Sequence, residues 1–214
     1  MAVMEINTVG IVGTAVAAPK PYRNIYGKEN VYALWVDTVR DSGAADRILV
    51  LFQEDKVDPE RRAAVIEPGS RVEVTGKIQT YKDMKRGHVQ LFVWGLYLAV
   101  VQEGSNQLNT VYMQGEIAKE PIYRETPLGR RITDMVLRIP SAFTEGFYSY
   151  VPCIAWEKLA DVAAELPENT VVYMEGRLQS REYTKKTKSG DKVLTAWEVS
   201  VCKLNEGENQ NSGN

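Results

Sequence analysis

Short runs in which apolar and polar residues alternate fill most of the second half of this chain, and they are rich in β-branched and aromatic side chains. These runs predict five strands: TVYMQGEIA (110–118), RRITDMVLRIP (130–140), YVPCIAW (150–156), TVVYMEGRLQSREY (170–183) and VLTAWEVSVCKL (193–204). Between the third and fourth runs the apolar residues are three and four apart, which predicts one helix within 156–166. Its apolar face would consist of Leu159, Val162, Ala163 and Leu166.

The first half of the chain repeats the second. Asn7-Thr8-Val9 recurs as Asn109-Thr110-Val111, and VEVTGKIQT (72–80) recurs as VYMEGRLQS (172–180), with Gly76 over Gly176. In the first copy PERRAAVIEPG (59–69) takes the place of the helix. Such self-similarity predicts two copies of one fold. We expect a first domain over 1–101, a second over 102–204, a polar hinge around 100–109 and a disordered tail over 205–214.

Five strands with a helix between the third and fourth have the connectivity of an OB-fold, a small and partly open Greek-key barrel. The glycine in the middle of a long strand, Gly76 or Gly176, fits a bulge or a sharp barrel bend. The predicted fold class is therefore all-β, with one short helix per domain and two tandem five-stranded OB-fold barrels.

The charge balance limits where an anion could bind. Lys and Arg number 26 and Asp and Glu 28, which gives a net charge of −2. Residues 1–100 carry 13 basic and 12 acidic side chains, and the remainder carry 13 and 16. No global basic signature for nucleic acid is present, so any anion-binding surface must be local.

The lengths of apolar runs and the numbers of cysteine and histidine residues indicate the cellular compartment and limit the possible chemistry. The longest apolar run, 91–101, is shorter than the roughly 18–20 residues of a membrane span. No secretory signal is visible, and two cysteines suit a reducing cytoplasm. Cys153 and Cys202 lie in apolar strand patterns, which predicts buried and inert thiols. The single histidine, His88, fits a solvated hairpin.

Three ordered segments resemble the bacterial single-stranded DNA-binding proteins: NTVYMQGEIAKEPIYRETPLGRRITDMVL, CIAWEKLADVAAEL and VVYMEGRLQSREY. Together they extend from Asn109 to about Leu204, and the first copy resembles the family more weakly through NTVGIVG and VEVTGKIQTY. The resemblance implies sequence-independent binding of single-stranded DNA in replication, recombination or repair, by a cytoplasmic, nucleoid-associated protein.

The family stacks bases on four aromatic positions, which in this sequence are filled by Phe143, Tyr150, Trp156 and Tyr183. Every base has a π-face, so stacking tolerates any sequence. The competing interpretation is that these rings belong to the core, as most aromatic residues in β-rich domains do. On that interpretation we assign Trp94 and Trp197 to core or subunit contacts.

Basic residues gather between the fourth and fifth strands of each copy, where a solvated hairpin tip is the alternative. In the second copy the candidates for phosphate contact are Arg181, Lys185, Lys186 and Lys188. In the first copy they are Lys82, Lys85 and Arg86. Further candidates with lower weight are Arg124, Arg130 and Arg177.

The first copy departs from the family pattern. Phe52 is taken as the counterpart of Trp156, and Tyr81 supplies a ring close to the position of Tyr183. The counterpart of Tyr150 is about Asp46, which would repel phosphate. The first barrel is therefore expected to be a weaker DNA site.

The partners follow from the resemblance. Family members with two barrels per chain form dimers, so we expect a homodimer with four barrels and no membrane association. The tail NEGENQNSGN lacks the acidic, Pro-Phe-ending tip by which the family recruits repair enzymes, so recruitment by that route is doubtful.

Catalytic and cofactor motifs are missing: no GxxxxGK[ST], CxxC or HExxH is present, and we predict no enzyme, cofactor or metal. A metal nuclease would need clustered carboxylates that the spacing does not supply. The alternative function is an OB-fold accessory protein of the primosomal type that acts mainly by docking a protein partner. The acidic net charge and the divergent first copy favour that alternative.

Overall fold

The computed structural model describes residues 6–57, 66–83, 88–126, 128–187 and 190–207. In the first half the elements are β1 (Asn7–Ala15), β2 (Lys20–Pro21), β3 (Val31–Val39), β4 (Ala45–Gln53), a 3₁₀-helix (Glu54–Lys56), β5 (Arg71–Asp83) and β6 (His88–Val100). In the second half they are β7 (Leu108–Ile117), β8 (Ile122–Glu125), β9 (Arg131–Pro140), β10 (Tyr148–Trp156), α1 (Lys158–Ala164), β11 (Val171–Thr187) and β12 (Gly190–Glu206).

Each half closes into a five-stranded barrel. In the first, β1 pairs with both β3 and β5, and the ladder β3–β4–β6–β5 completes the ring. The second repeats this arrangement with β7, β9, β10, β12 and β11. The contacts β4–β6 and β10–β12 are parallel and all others in the two rings are antiparallel, which is the OB-fold connectivity. The predicted fold class is confirmed.

The two barrels share one sheet. Strand β1 lies antiparallel to β7, with Val9 directly opposite Val111, so twelve strands form a continuous ladder. Asn7 caps the backbone of Ile78 in the first barrel, and Asn109 caps Leu178 in the second, in both cases through two hydrogen bonds. The repeated Asn-Thr-Val segment thus places the two strands next to a pseudo-twofold axis. Strand pairing, in addition to the segment at 101–107, connects the halves.

The glycine bulges are where the sequence predicts them. The β5–β6 register shifts between Thr75 and Gly76, and the β11–β12 register shifts between Glu175 and Gly176. A Cβ at Gly76 would lie 2.3 Å from the carbonyl oxygen of Trp94, and one at Gly176 would lie 2.4 Å from that of Ser200. Only glycine permits this close approach of the strands.

The helix differs in detail from the prediction. Its buried residues are Ala160 and Ala163, whereas Val162 is 54% exposed. Glu157, with a φ of 53°, turns the chain sharply after β10, and the helix that follows begins at Lys158. This start sets a rotation in which Ala160, not Val162, faces the core. Of the corresponding first-copy segment, residues 58–65 lie outside the described residues.

Two predictions are corrected by the structure: the burial of Cys202 and the start of the disordered tail. Cys153 is buried, and burial raises the pKa of its thiol. Cys202 is exposed on β12, where it is the extra residue of the bulge opposite Glu175 and Gly176. Strand β12 continues to Glu206, opposite Val172, and the rest of the predicted tail, 208–214, lies outside the described part of the chain. Among the described residues, none of the helices has the length and apolar character to cross a membrane.

Candidate nucleic-acid interface

The parallel ladders give the true correspondence between the barrels. Val50 of β4 lies opposite Val93, and Cys153 of β10 lies opposite Val199, so Val50 corresponds to Cys153. In this register the counterpart of Trp156 is Gln53, and Phe52 corresponds to Ala155. The predicted correspondence was one residue out of register, and such a slip moves a side chain to the other face of a sheet. Phe52 is 2% exposed in the core, so its assignment to the DNA surface is wrong.

The same register corrects the counterpart of Tyr150. That position holds Arg47, and Asp46 corresponds to Ser149. Arg47 is bound by Asp37 through two hydrogen bonds of 2.9 and 2.8 Å. Asp46 is fully buried at the contact between the barrels, where Arg40 and Ser180 bind its carboxylate.

An exposed aromatic strip lies at the start of β10. Tyr148 is 52% exposed and Tyr150 is 49% exposed, on the same outer face of the strand. The Arg138 guanidinium lies 5.3 Å above the centre of the Tyr148 ring, and Arg138 is paired with Tyr150 across β9 and β10. Sequence reasoning missed Tyr148, Phe147 and Arg138. The signal was available, because Tyr148 and Tyr150 alternate in phase along one strand.

This strip borders the first barrel. The Tyr150 backbone N–H donates to the Thr80 hydroxyl at 3.0 Å, and the Thr80 N–H donates to the Ser149 hydroxyl at 3.1 Å. Thr80 precedes Tyr81 and Lys82 in the β5–β6 hairpin. The structure therefore brings Tyr150 next to the hairpin of the other barrel.

A cavity of about 830 Å³ opens between the two barrels. We call it the junction groove. Three predicted DNA-binding residues, Trp156, Arg130 and Arg177, line it together with Arg40 and Asp46. An aromatic ring and three guanidinium groups thus meet in one concave surface.

Two guanidinium groups in the junction groove share one carboxylate. Arg40 binds Asp46 at 2.5 and 2.7 Å, and Arg177 approaches it at 3.3 Å. Burial, and then the positive charge of Arg40, lowers the pKa of Arg177, whereas the hydrogen bond to Asp46 raises the pKa of Arg40. The groove is lined by three basic residues and by the three acidic residues Asp41, Asp46 and Glu157, so its charges balance. Each guanidinium group has five N–H donors, and those not bound to Asp46 could bind a phosphate.

Other predicted cations are held in ion pairs. Arg124 Nε lies 2.6 Å from Asp134, and Arg181 Nε lies 3.1 Å from the buried Glu198. Tyr183, Lys185 and Lys186 lie on β11 and Lys82 on β5, but their side chains are outside the described part of the structure. Lys188, Lys85 and Arg86 lie outside the described residues altogether.

Phe143 and Tyr81 belong to an aromatic cluster on the first barrel. Phe143 reaches across from the second half, with its ring centre 4.8 Å from Tyr26 and 4.9 Å from Trp94. The Tyr81 and Tyr22 hydroxyls are 2.5 Å apart, and burial, reinforced by that hydrogen bond, raises the pKa of Tyr81 to about 12. Tyr150, Trp156 and Phe143 thus occupy three separate places: the strip, the junction groove and this cluster.

The sequence predicts core or subunit contacts for two further tryptophans, Trp94 and Trp197. Trp94 is buried, as predicted, within the aromatic cluster. Trp197 is half-buried and contacts Trp35 of the other barrel. It therefore connects the barrels within one chain.

Comparison with known proteins identifies a family model that matches the second barrel and relatives that match part of the chain. The model of the "Single-strand binding protein family" matches residues 108–204. Single-stranded DNA-binding protein A of Bacillus subtilis is 30% identical over 111 residues, which cover 50% of this chain and 63% of the relative. Single-stranded DNA-binding protein 1 of Chlorobaculum tepidum is 33% identical over 92 residues, covering 40% and 56%. The chain thus spans between half and two thirds of the length of these relatives.

The whole fold has a solved counterpart. The wild-type single-stranded DNA binding protein from Thermus aquaticus superimposes with a TM-score of 0.72 and 19% identity, covering 99% of this chain and 98% of that one. At this identity the likeness establishes the architecture of two OB-folds in one chain.

Proposed function

We propose that this chain, whose second barrel matches the model of the single-strand binding protein family, is a member of that family and binds single-stranded DNA without reading its sequence. The observation that carries the proposal is the exposed strip of Tyr148 and Tyr150 beside Arg138. Exposed rings on a rigid strand can stack on any base that is not enclosed in a duplex, and each stacked base contributes about 1–3 kcal/mol. The family is one of binding proteins, not enzymes.

Phosphate contacts would supply the rest of the affinity. The junction groove holds Arg40, Arg130 and Arg177 near Trp156, so a strand that stacks there can neutralise its backbone charge. Such contacts release counterions and make binding weaker as salt rises.

A fluorescence anisotropy titration with labelled oligo-dT and mixed-sequence oligonucleotides, at low and high salt, tests this function. The wild type should bind all of them, and more weakly at high salt. Tyr150→Leu should weaken binding about 5-fold or more, whereas Tyr150→Phe, which retains the ring, should bind like the wild type. Absence of binding at low salt would contradict the proposal and would favour docking of a protein partner.

We further propose that two chains associate into a homodimer with four barrels. In support, the outer face of the shared sheet carries Tyr112, 40% exposed, directly opposite Thr8 on its central strand pair. Light scattering should give twice the chain mass of 24.0 kDa, and Tyr112→Glu should lower it. A particle of single-chain mass at micromolar concentration would contradict the homodimer.

A further inference from the structure

Trp35 lies on the outer face of β3 and touches an aromatic residue of the other barrel. Its ring centre is 6.0 Å from that of Trp197 on β12, with 35° between the planes. The Trp197 indole N–H donates to the Arg47 carbonyl oxygen at 2.7 Å, which orients that ring. Both indoles are only partly buried. The two barrels therefore build a fixed aromatic surface that neither could form alone.

Two cavities meet at Trp35. One, of about 370 Å³, is lined by Tyr22, Tyr81 and the basic residues Lys20 and Arg23. The other, of about 400 Å³, lies between Trp35 and Trp197 and includes Arg47 and Arg181. Of the charged side chains that line the two cavities, four are basic, against the two acidic residues Asp37 and Glu182. Aromatic rings flanked by basic side chains therefore extend across the outer surface of the first barrel.

The first barrel has no aromatic residue at the positions of Tyr148 and Tyr150, but it has Trp35 on the adjacent strand. The strip residues Tyr148 and Tyr150 correspond to Ala45 and Arg47. Trp35, opposite Leu49 on β4, corresponds to Val136, opposite Pro152 on β10. The first barrel therefore presents its indole on the neighbouring strand.

We propose that the Trp35–Trp197 surface is a second base-stacking site, which holds a further segment of the same DNA strand. This inference rests on the proposed function. Aromatic faces suit bases, and Lys20 and Arg23 suit the phosphates beside them. Arg47 and Arg181 line the same surface but already bind Asp37 and Glu198. The site has a different location from the second barrel's strip and uses residues of both barrels.

Two measurements on the full chain test the second site. In the first, the affinity for a series of oligo-dT of increasing length is measured for the wild type, Trp35→Leu and Trp35→Phe. Short oligonucleotides should bind the wild type and Trp35→Leu equally through the strip, whereas long ones should bind Trp35→Leu about 5-fold or more weakly. Trp35→Phe should retain most of the affinity for long strands.

In the second measurement, wild-type protein is photocrosslinked to oligo-dT containing 5-iododeoxyuridine, and the adducts are mapped by mass spectrometry. Adducts at Trp35 or Trp197 are expected, and this result does not depend on how a variant folds. If the wild type binds and Tyr150→Leu weakens it, but Trp35→Leu matches the wild type at every length and neither indole forms an adduct, the second site is overturned and the proposed function stands. If the wild type binds no oligo-dT at low salt, both fail.

Discussion

The two barrels have equivalent strands, but equivalent positions on their outer faces carry side chains of different chemical type. In the second barrel Tyr150 lies opposite Arg138, which forms an ion pair with Glu116. In the first barrel Arg47 lies opposite Asp37, and the two form an ion pair through two hydrogen bonds. Where the second buries Glu198 against Arg181, the first packs Phe92 against Tyr81 with ring centres 5.7 Å apart.

The inward positions, by contrast, are apolar in both barrels. Ile78 and Val93 in the first correspond to Leu178 and Val199 in the second, and all four are buried. The inner face must fill the barrel, so its chemistry is constrained by close packing. The outer face contacts solvent, ligand or the other barrel, so it can change. Duplication of one fold has therefore left one barrel with exposed tyrosines and the other with a covered aromatic cluster.

The largest effect on the free energy of unfolding is expected at the contact between the barrels, where Asp46 and Ser149 occupy equivalent positions. Asp46→Ala removes the one carboxylate that Arg40 and Arg177 share, which should lower the free energy of unfolding by about 3–5 kcal/mol. At the equivalent position Ser149→Ala removes only neutral hydrogen bonds with Thr80 and Gln79, which should lower it by about 1 kcal/mol. Urea denaturation measures both. Equal losses would show that the charge at Asp46 is unimportant.

Exchanging the residues at positions 138 and 150 with those at positions 37 and 47 tests whether the exposed tyrosine or the ion pair binds DNA. Tyr150→Arg with Arg138→Asp gives the second barrel the pair of the first. It should weaken binding of oligo-dT by about 1–3 kcal/mol through loss of stacking, and it also removes the cation that binds Glu116. The reverse exchange, Arg47→Tyr with Asp37→Arg, adds a ring and keeps one cation beside Trp35 and Trp197. It therefore serves as the matched control and should weaken binding less than the first exchange. Anisotropy titration measures both, and the comparison fails if the two exchanges weaken binding equally.

A smaller effect is expected on salt dependence. Arg130, beside Gly129 in the junction groove, should contact one phosphate, so Arg130→Gln should reduce the slope of log K against log salt by about 0.7. Lys28 follows Gly27, whose φ of 73° matches the 74° of Gly129, in the corresponding turn. Lys28→Gln should leave the slope unchanged. A reduction with Lys28→Gln and none with Arg130→Gln would reverse the assignment of the groove.

The smallest effect concerns alkaline pH. Burial and the Tyr22 hydrogen bond raise the pKa of Tyr81 from 10.0 to about 12, so the folded state holds this proton more tightly than the unfolded chain does. The resulting stabilisation is complete below pH 10 and is lost as pH rises through about 12. The second barrel has Arg181 at this position. Thermal unfolding of Tyr81→Phe should therefore depend less on pH than that of the wild type over this interval; an identical dependence would contradict the assignment.

Much of the fold could be predicted from the residues, and less of the site. The Asn-Thr-Val repeat and the glycines at 76 and 176 mark equivalent points in both barrels because side-chain caps and close backbone approach require those residues. The register of β4 could not be predicted, because five successive residues of this strand are buried and show no alternation. The sequence pattern therefore places Phe52, a core residue, at the position of Trp156.

The sequence by itself determines the two OB barrels, their glycine bulges and the two tyrosines that share one face of β10. These features depend on the alternation of side chains and on glycine geometry, which involve only a few neighbouring residues. Only the tertiary structure decides which groups meet across the barrels: Asp46 with Ser180, Trp35 with Trp197, and Tyr150 with Thr80. These contacts join residues 70 or more positions apart. No local pattern contains them, because they arise when β1 pairs with β7 and brings the two outer faces together.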